Sequence, residues 1–331
     1  MEGSGLRSRR QFGQYAVGVL AYNIFVVLWG AFVRATGSGA GCGDHWPFCN
    51  GTVVPHSPAM ATVIEFMHRV TSGIDIALVI GMCAWAFYLY PRRHIVRRMT
   101  IFSLLFLFVE AILGAGLVLL RYVAKDESAG RAWYLSAHLT NTMLLLGALT
   151  VTAWIAWTGA AYLRLHRVPR ALLWTLPVTL AVGVTGAIAA LGDTLFPATS
   201  FASGFHQDFS SASSWLLRLR LLHPAIAILG AGYLVWVTVS VLRRRKEDSV
   251  GIAAARVLGI TCFQLGVGAM NVTLLAPVWM QIFHLFMADL LWIAVAVMVL
   301  ESGRVGEGAE ELAVKGLPAA KARSSAIHGE A

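Results

Sequence analysis

The sequence predicts an all-α integral membrane protein whose eight transmembrane helices form two pseudo-symmetric four-helix bundles. Three observations support this fold class: the composition, a series of long apolar runs and an internal duplication. Of the 331 residues, 57% are hydrophobic and 13% are charged, whereas soluble globular proteins carry about 25% charged residues. Because a helix needs about 20 apolar residues to cross a bilayer, a chain of this length has room for about eight spans with short loops.

Eight apolar runs give the positions of the predicted spans. They lie at residues 14–34, 61–90, 98–121, 133–160, 171–192, 218–241, 252–275 and 280–300. The first run is about 20 residues long, too long for the core of a cleavable signal peptide, so it is predicted to be the first span. The polar stretch after Glu301 is rich in Gly, Ala and Ser and is predicted to be disordered.

The net charge of +9 is concentrated in four basic clusters between the spans. The clusters are Arg7 to Arg10, Arg92 to Arg98, Arg164 to Arg170 and Arg243 to Lys246. Cytoplasmic loops of membrane proteins carry this excess of Arg and Lys. We therefore expect a multi-pass protein of the cell membrane with both termini cytoplasmic, surrounded by lipid and with no nucleic-acid partner.

The second half of the chain repeats the first. The third span contains Glu110-Ala-Ile-Leu-Gly114-Ala, and the seventh contains Gln264-Leu-Gly-Val-Gly268-Ala. Each even-numbered span carries one histidine, in chain order His68, His138, His223 and His284. The predicted division is an N-terminal half at 1–165, a C-terminal half at 166–302 and a cytoplasmic tail at 303–331.

The four span histidines are predicted to lie at one depth, each about five to eight residues, or roughly 8–12 Å, from the outer end of its helix. An ionisable residue inside a membrane is costly and usually faces the bundle interior. One such histidine could be an ordinary packing residue, but four that recur through a duplication indicate a functional set. Paired imidazoles suit the two faces of a flat iron macrocycle, whereas zinc needs three or four converging ligands. The sequence therefore predicts two haem sites, and covalent attachment is excluded because Cys-x-x-Cys-His is absent.

One acidic residue makes the halves chemically unequal. Glu65 is three residues before His68 and shares its helical face, whereas the matching position in the sixth span is Arg220. Either Glu65 pairs with Arg69, four residues later, or it supplies a carboxylate beside one haem for proton transfer or for stabilising a cation. Two deeper acids, Asp75 and Glu110, could be proton relays or hydrogen-bond partners of neighbouring helices.

The first outer loop contains Cys42 and Cys49 on the predicted oxidising side. A disulfide is expected there, and the loop-entropy model gives it a contribution of about 2.5 kcal/mol. A redox-active dithiol is the alternative. Cys83 and Cys262 lie in spans and are predicted to be small apolar packing residues.

Three patterns together resemble the haem A synthase family. They are Val-Arg-Ala-Thr-Gly-Ser-Gly at 33–39, Cys42 with Trp-Pro-Phe-Cys-Asn-Gly at 46–51, and Glu65-x-x-His68-Arg69. The resemblance covers about residues 14–300. It implies an oxidoreductase that converts the C8 methyl of haem O, through a hydroxymethyl intermediate, to the formyl of haem A for terminal oxidase assembly.

The resemblance also implies roles for individual residues. His68 and His138 would flank the iron of the substrate haem, and Glu65 would be the essential acid beside it. His223 and His284 would ligate the iron of a haem b that passes electrons. The cysteines at 42 and 49 would be the family's loop pair. A haem O synthase, which is a farnesyltransferase, is the implied upstream partner, together with an electron donor or acceptor.

Two other functions fit the histidines without the resemblance. One is a dihaem b-type membrane cytochrome that only relays electrons, and the other is a haem transporter or chaperone. Electron relay requires neither an acid at position 65 nor the pattern in the first loop, so these two features favour the enzyme.

Overall fold

A computed structural model describes residues 2–56, 58–160, 163–210 and 214–304 of the chain. Within these ranges eight helical segments are long and apolar enough to cross a membrane, which confirms the predicted fold class. The helices are α1 Glu2–Ala35, α2 Met60–Leu89, α3 Ile95–Leu119, α4 Ala129–Thr158, α5 Arg170–Leu173, α6 Thr175–Leu195, α7 Phe201–Phe209, α8 Trp215–Leu242, α9 Ser249–Thr273 and α10 Val278–Gly303. The consecutive α5 and α6 form a single span.

Local capping fixes where several spans begin and end. The side chain of Ser128 accepts a hydrogen bond from the backbone N–H of Arg131 at the start of α4, and Asp248 does the same for Gly251 at the start of α9. These side chains satisfy N–H groups that the first helical turn leaves without a partner. α4 ends at Gly159, whose φ of 67° is the left-handed conformation that favours glycine.

The helices of each half pack in a ring. In the N-terminal half α1, α2, α3 and α4 pack in that order and α4 closes against α1; in the C-terminal half α6, α8, α9 and α10 do the same. α2 is therefore diagonal to α4, and α8 is diagonal to α10. These four helices carry the span histidines, so the ring order lets each pair approach across a bundle interior.

The two halves meet along α1, α4, α6 and α10. Ile24, Met143, Leu146 and Trp292 form an apolar cluster there, and the indole N–H of Trp292 donates to the carbonyl oxygen of Met143 at 2.8 Å. The division of the chain at residue 165 stays a prediction. The predicted tail at 303–331 lies outside the described residues except for its first two.

Arg34, at the end of α1, links the halves a second time. Its guanidinium donates to the carbonyl oxygen of Ala190 at 2.6 Å and to the hydroxyl of Thr194 at 2.8 Å, both on α6. It also donates to Oε1 of Gln281 on α10 at 3.2 Å. One side chain of the N-terminal half therefore contacts two helices of the C-terminal half.

The connection between the predicted spans at 171–192 and 218–241 is not a simple loop. It contains the nine-residue helix α7, which begins with a reciprocal pair of hydrogen bonds between Ser200 and Ser203. Such a capping box is a local signal for a helix start.

The two ends of the bundles differ in what they carry. We call the end that carries α7 and the loop at 36–59 the loop face. The opposite end carries the arginines at 92–98, and we call it the basic face.

Candidate haem-binding site

In the C-terminal half, α8 and α10 bring His223 and His284 together. The centroids of the two imidazole rings are 6.4 Å apart, and the ring planes lie at 81° to each other. A metal–imidazole bond is about 2 Å long. A metal atom bonded to both rings would therefore account for about 4 Å of the separation, and the distance from each bonded nitrogen to the centre of its ring accounts for the rest. The predicted pairing of these histidines is therefore geometrically feasible.

Three of the four histidine rings lie against a glycine of a neighbouring helix. A Cβ atom added at each glycine would come close to Cε1 of the facing ring. The pairs are Gly30 with His68 at 2.9 Å, Gly186 with His223 at 3.1 Å and Gly268 with His284 at 3.1 Å. Only glycine lets these imidazoles pack so close to a helix backbone. This role of the glycines was not predicted, although Gly-Ala recurs at 30–31 and 186–187.

The ring of His138 is the exception. The corresponding glycine on α3, Gly114, has no described atom within 4 Å of where its Cβ would be. Instead Nδ1 of His138 lies 3.1 Å from Oε1 of Glu110. The carboxylate is held by α4, because Asn141 donates to Oε2 at 2.5 Å and the hydroxyl of Thr142 donates to Oε1.

The buried acids of the first half therefore make hydrogen bonds with neighbouring helices. Besides Glu110, Asp75 on α2 accepts a hydrogen bond of 2.6 Å from Asn23 on α1. This is one of the two alternatives that the sequence left open for these acids. A role as proton relays stays a prediction.

Three of the histidines have an unpaired ring nitrogen. Nδ1 is buried and makes no hydrogen bond within the described residues in His68, His138 and His284, whereas Nδ1 of His223 lies 3.1 Å from the hydroxyl of Thr185. Buried polar atoms in folded proteins almost always have a partner. In His68 and His284, packing against Gly30 and Gly268 and not a hydrogen bond at Nδ1 therefore sets the orientation of the ring.

Glu65 joins α2 to the first loop. Its carboxylate is 3% exposed; Oε2 accepts a hydrogen bond of 2.8 Å from the backbone N–H of Cys42, and Oε1 accepts one of 2.5 Å from Arg69. The predicted pairing with Arg69 is therefore confirmed. The contact with the Cys42 backbone was not predicted, because no side-chain pattern reports it.

The loop itself is closed twice, beside the start of α2. Cys42 and Cys49 form the expected disulfide, and both are almost fully buried. Arg69 also donates to the carbonyl oxygens of His45 and Phe48, each at 2.7 Å. The disulfide and Arg69 therefore hold the loop over the end of α2 that carries His68.

In the second half, Arg220 takes the place of Glu65 and makes a different clamp. Its guanidinium donates to Asp193 of α6 at 3.0 Å and to Asp208 of α7. Ion pairs thus secure the second loop-face connection, where a disulfide secures the first. Among the residues that the structure describes, no group of three or more His, Cys, Asp and Glu side chains is placed to hold a metal ion by itself.

These features define a multi-pass α-helical membrane protein with a histidine on each of two diagonal helices in both half-bundles. The family model described as cytochrome oxidase assembly protein matches residues 13–296. The chain belongs to this family, and its relatives include proteins named Heme A synthase.

The relatives differ in how much of the chain they match. A Thermus thermophilus protein named Protoheme IX farnesyltransferase is 42% identical over 306 residues, which cover 89% of this chain and 50% of that protein. Proteins named Heme A synthase match shorter stretches. The one from Halalkalibacterium halodurans is 41% identical over 29% of this chain and 32% of its own length, and the one from Bacillus cereus is 43% identical over 29% and 30%. The chain thus spans half or less of the length of these relatives.

Proposed function

We propose that the protein is a haem A synthase, which oxidises the C8 methyl of haem O to the formyl of haem A through a hydroxymethyl intermediate. The inequality of the two halves supports this proposal most. Among the described residues, the N-terminal half alone has a carboxylate, Glu65, three residues before the histidine of its second span, and a disulfide-closed loop over that helix. A protein that only relays electrons between two haems has no use for this arrangement.

The C-terminal half would hold the cofactor, haem b, between His223 and His284. The residues present fit this group, because the ring separation of 6.4 Å leaves room for an iron atom between the two imidazoles, and Gly186 and Gly268 make space for the rings. When bound, haem b supplies one-electron transfer. The N-terminal half would hold the substrate, haem O, with His68 and His138 on the two sides of its iron.

Glu65 would act on charge that develops in the substrate. Both of its oxygens already accept hydrogen bonds, from Cys42 and from Arg69. This geometry favours electrostatic stabilisation of a developing positive charge over abstraction of a proton. The loop closed by the disulfide would exclude water from the substrate, which strengthens such an interaction.

The loop face would lie outside the cell and the basic face in the cytoplasm, with the protein in the cell membrane. The arginine clusters of the basic face support this orientation, and so does the disulfide on the loop face. Both termini would then be cytoplasmic.

A haem O-producing farnesyltransferase would be the partner that supplies the substrate. The Thermus relative carries the name of a farnesyltransferase, and this chain matches only half of it. A protein that combines this name with a stretch similar to the present chain supports a working link between the two activities. An electron donor or acceptor completes the set of proposed partners.

The central test compares Glu65→Gln with the wild type, each expressed with and without a source of haem O. Extracted porphyrins are identified by mass. We expect the variant to retain haem and to form no haem A, whereas Glu127→Gln, at an exposed position of another loop, forms it normally. Unchanged conversion by Glu65→Gln would contradict the proposal. So would a wild type that carries haem but never hydroxymethyl or formyl haem, as a transporter or an electron relay would.

A second test concerns the cofactor. In protein expressed without haem O, His223→Ala or His284→Ala should abolish the low-spin b-type absorbance. If the spectrum persists in both variants, the C-terminal pair is not the haem b site.

A further inference from the structure

We propose that Glu110 is a positioning residue that orients His138 and lowers the reduction potential of the haem held in the N-terminal half. This inference rests on the proposed function, since it assumes that His138 contacts haem iron. It starts from the distance of 3.1 Å between Nδ1 of His138 and Oε1 of Glu110. Nδ1 of His138 makes no hydrogen bond in this conformation of the ring, and the inference is that a rotation of the imidazole completes the bond.

The duplicated half shows what the same place looks like without the carboxylate. Gln264 replaces Glu110, and its amide donates to the backbone carbonyl oxygen of His284 at 3.0 Å. Nδ1 of His284 has no partner among the described residues. In the N-terminal half, the helix α3 thus places a carboxylate at Nδ1 of the neighbouring histidine, whereas the equivalent helix α9 of the C-terminal half places a neutral amide near His284.

The residues that hold the carboxylate are also confined to the N-terminal half. Asn141 and Thr142 follow His138 by three and four residues, and both donate to Glu110. Three and four residues after His284 the chain has Met287 and Ala288, whose side chains carry no donor. The carboxylate and its two donors therefore occur together in one half, which indicates a built arrangement and not a single substitution.

The position of the His138 ring agrees with this role. The ring of His284 packs against Gly268, whereas the space in front of Gly114 is open. The His138 imidazole thus lies toward Glu110 and away from the glycine. With Nδ1–H directed at Glu110, the other nitrogen, Nε2, is left for iron.

A carboxylate that accepts the outer N–H of a ligand histidine makes the imidazole a stronger donor to the metal. A stronger donor stabilises ferric over ferrous iron and so lowers the reduction potential. The two haems would then differ in potential because of Glu110, although the ligands of both are histidines.

The test is a spectroelectrochemical titration of the full-length protein loaded with iron protoporphyrin IX. Glu110→Gln keeps the shape of the side chain but removes its charge. In this variant the equilibrium between ferric and ferrous iron in the N-terminal haem should shift about tenfold toward the ferrous state. For a one-electron couple this raises the midpoint potential by about 59 mV. The C-terminal haem, identified by the absorbance that His223→Ala removes, is the control in the same sample and should not move.

Two further variants separate tuning from packing. Glu110→Asp keeps the charge and should recover part of the shift, whereas Gln264→Leu should leave the N-terminal midpoint unchanged. The inference is wrong if Glu110→Gln moves neither midpoint, or moves both equally. It is also wrong if the N-terminal midpoint of Glu110→Asp is as high as that of Glu110→Gln. If Glu110→Gln does not bind the N-terminal haem, Glu110→Asp is compared with the wild type instead, and the inference is wrong unless its N-terminal midpoint lies above that of the wild type. If the wild type forms haem A but Glu110→Gln does not shift the midpoint, only this inference fails and the proposed function stands. If Glu110→Gln shifts the midpoint but the wild type never forms haem A, only the proposed function fails.

Discussion

The backbone N–H of Cys42 donates a hydrogen bond of 2.8 Å to Oε2 of Glu65, which ties the loop at 36–59 directly to the helix that carries His68. Arg69 completes the link, since it donates both to Glu65 and to carbonyl oxygens of the loop. Under the proposed function Glu65 would make two separable contributions, one to the position of the loop and one to the charge beside the substrate. Variants of its partners distinguish them.

Arg69→Ala should loosen the loop while leaving the Glu65 carboxylate in place. A hydrogen bond to a charged group contributes about 1.5–3 kcal/mol, so the free energy of local opening should fall by at least that amount. Hydrogen–deuterium exchange of the backbone amides at 42–56 measures it. Arg121→Ala is the control, because its ion pair with Asp44 is exposed and such pairs contribute little. Equal exchange in both variants would contradict the assigned role of Arg69.

Gly30→Ala should impair haem binding in the N-terminal half. The new methyl would lie 2.9 Å from Cε1 of His68, so the ring must move. In an unobstructed helix, replacing glycine by alanine stabilises the fold by roughly 0.5–1 kcal/mol. Weaker haem binding by Gly30→Ala would therefore come from the contact between the new methyl and His68. Titration of the purified protein with iron protoporphyrin IX should show weaker binding at the N-terminal site only.

Gly114→Ala is the matched control for Gly30→Ala, since the space in front of Gly114 is open. It should bind haem like the wild type and unfold at the same or a higher temperature. If Gly30→Ala binds as well as Gly114→Ala, close packing of His68 on α1 is not required for the site.

The spans and the site could be predicted from the sequence to different extents. The eighth span was expected at 280–300 and lies at Val278–Gly303, because length and apolarity alone determine a membrane helix. The pairing of Glu65 with Arg69 was also predictable, since residues four apart on a helix are neighbours. Local spacing therefore accounts for this part of the site.

Contacts between distant segments could not be predicted in this way. Arg220 stood out only as the counterpart of Glu65, and its partners Asp193 and Asp208 depend on how α6 and α7 return to α8. α7 was missed because a helix of nine residues lacks a sustained apolar period. Likewise, nothing in the sequence says which backbone N–H will meet the carboxylate of Glu65.

The Cys42→Ser, Cys49→Ser double variant should retain haem A formation. Both cysteines are almost fully buried, whereas redox-active thiols need access to their partners. Loss of the cross-link should lower the free energy of unfolding by at most about 2.5 kcal/mol, because Glu65 and Arg69 still hold the loop. Thermal unfolding and porphyrin analysis measure the two effects, with Cys262→Ala as the control. A folded double variant that binds haem but forms no haem A would favour the redox-active alternative.

Arg34→Ala should weaken the contact between the halves. The variant loses the three hydrogen bonds to Ala190, Thr194 and Gln281, and one bond to a charged group is already worth about 1.5–3 kcal/mol. Thermal unfolding should therefore begin at a lower temperature. Arg34→Lys should recover only part of the loss, because an ammonium cannot reproduce the planar fork of a guanidinium.

The consequence for activity follows from where Arg34 lies. If electrons pass between the two haems, the separation of the half-bundles sets the rate, and Arg34 links α1 to α6 and α10 at the loop face. Arg34→Ala should then form haem A more slowly while the absorbance of each haem stays unchanged, since neither histidine pair contacts Arg34 through these bonds. Normal haem A formation in an Arg34→Ala protein that unfolds at a lower temperature would show that the spacing of the halves does not limit the reaction.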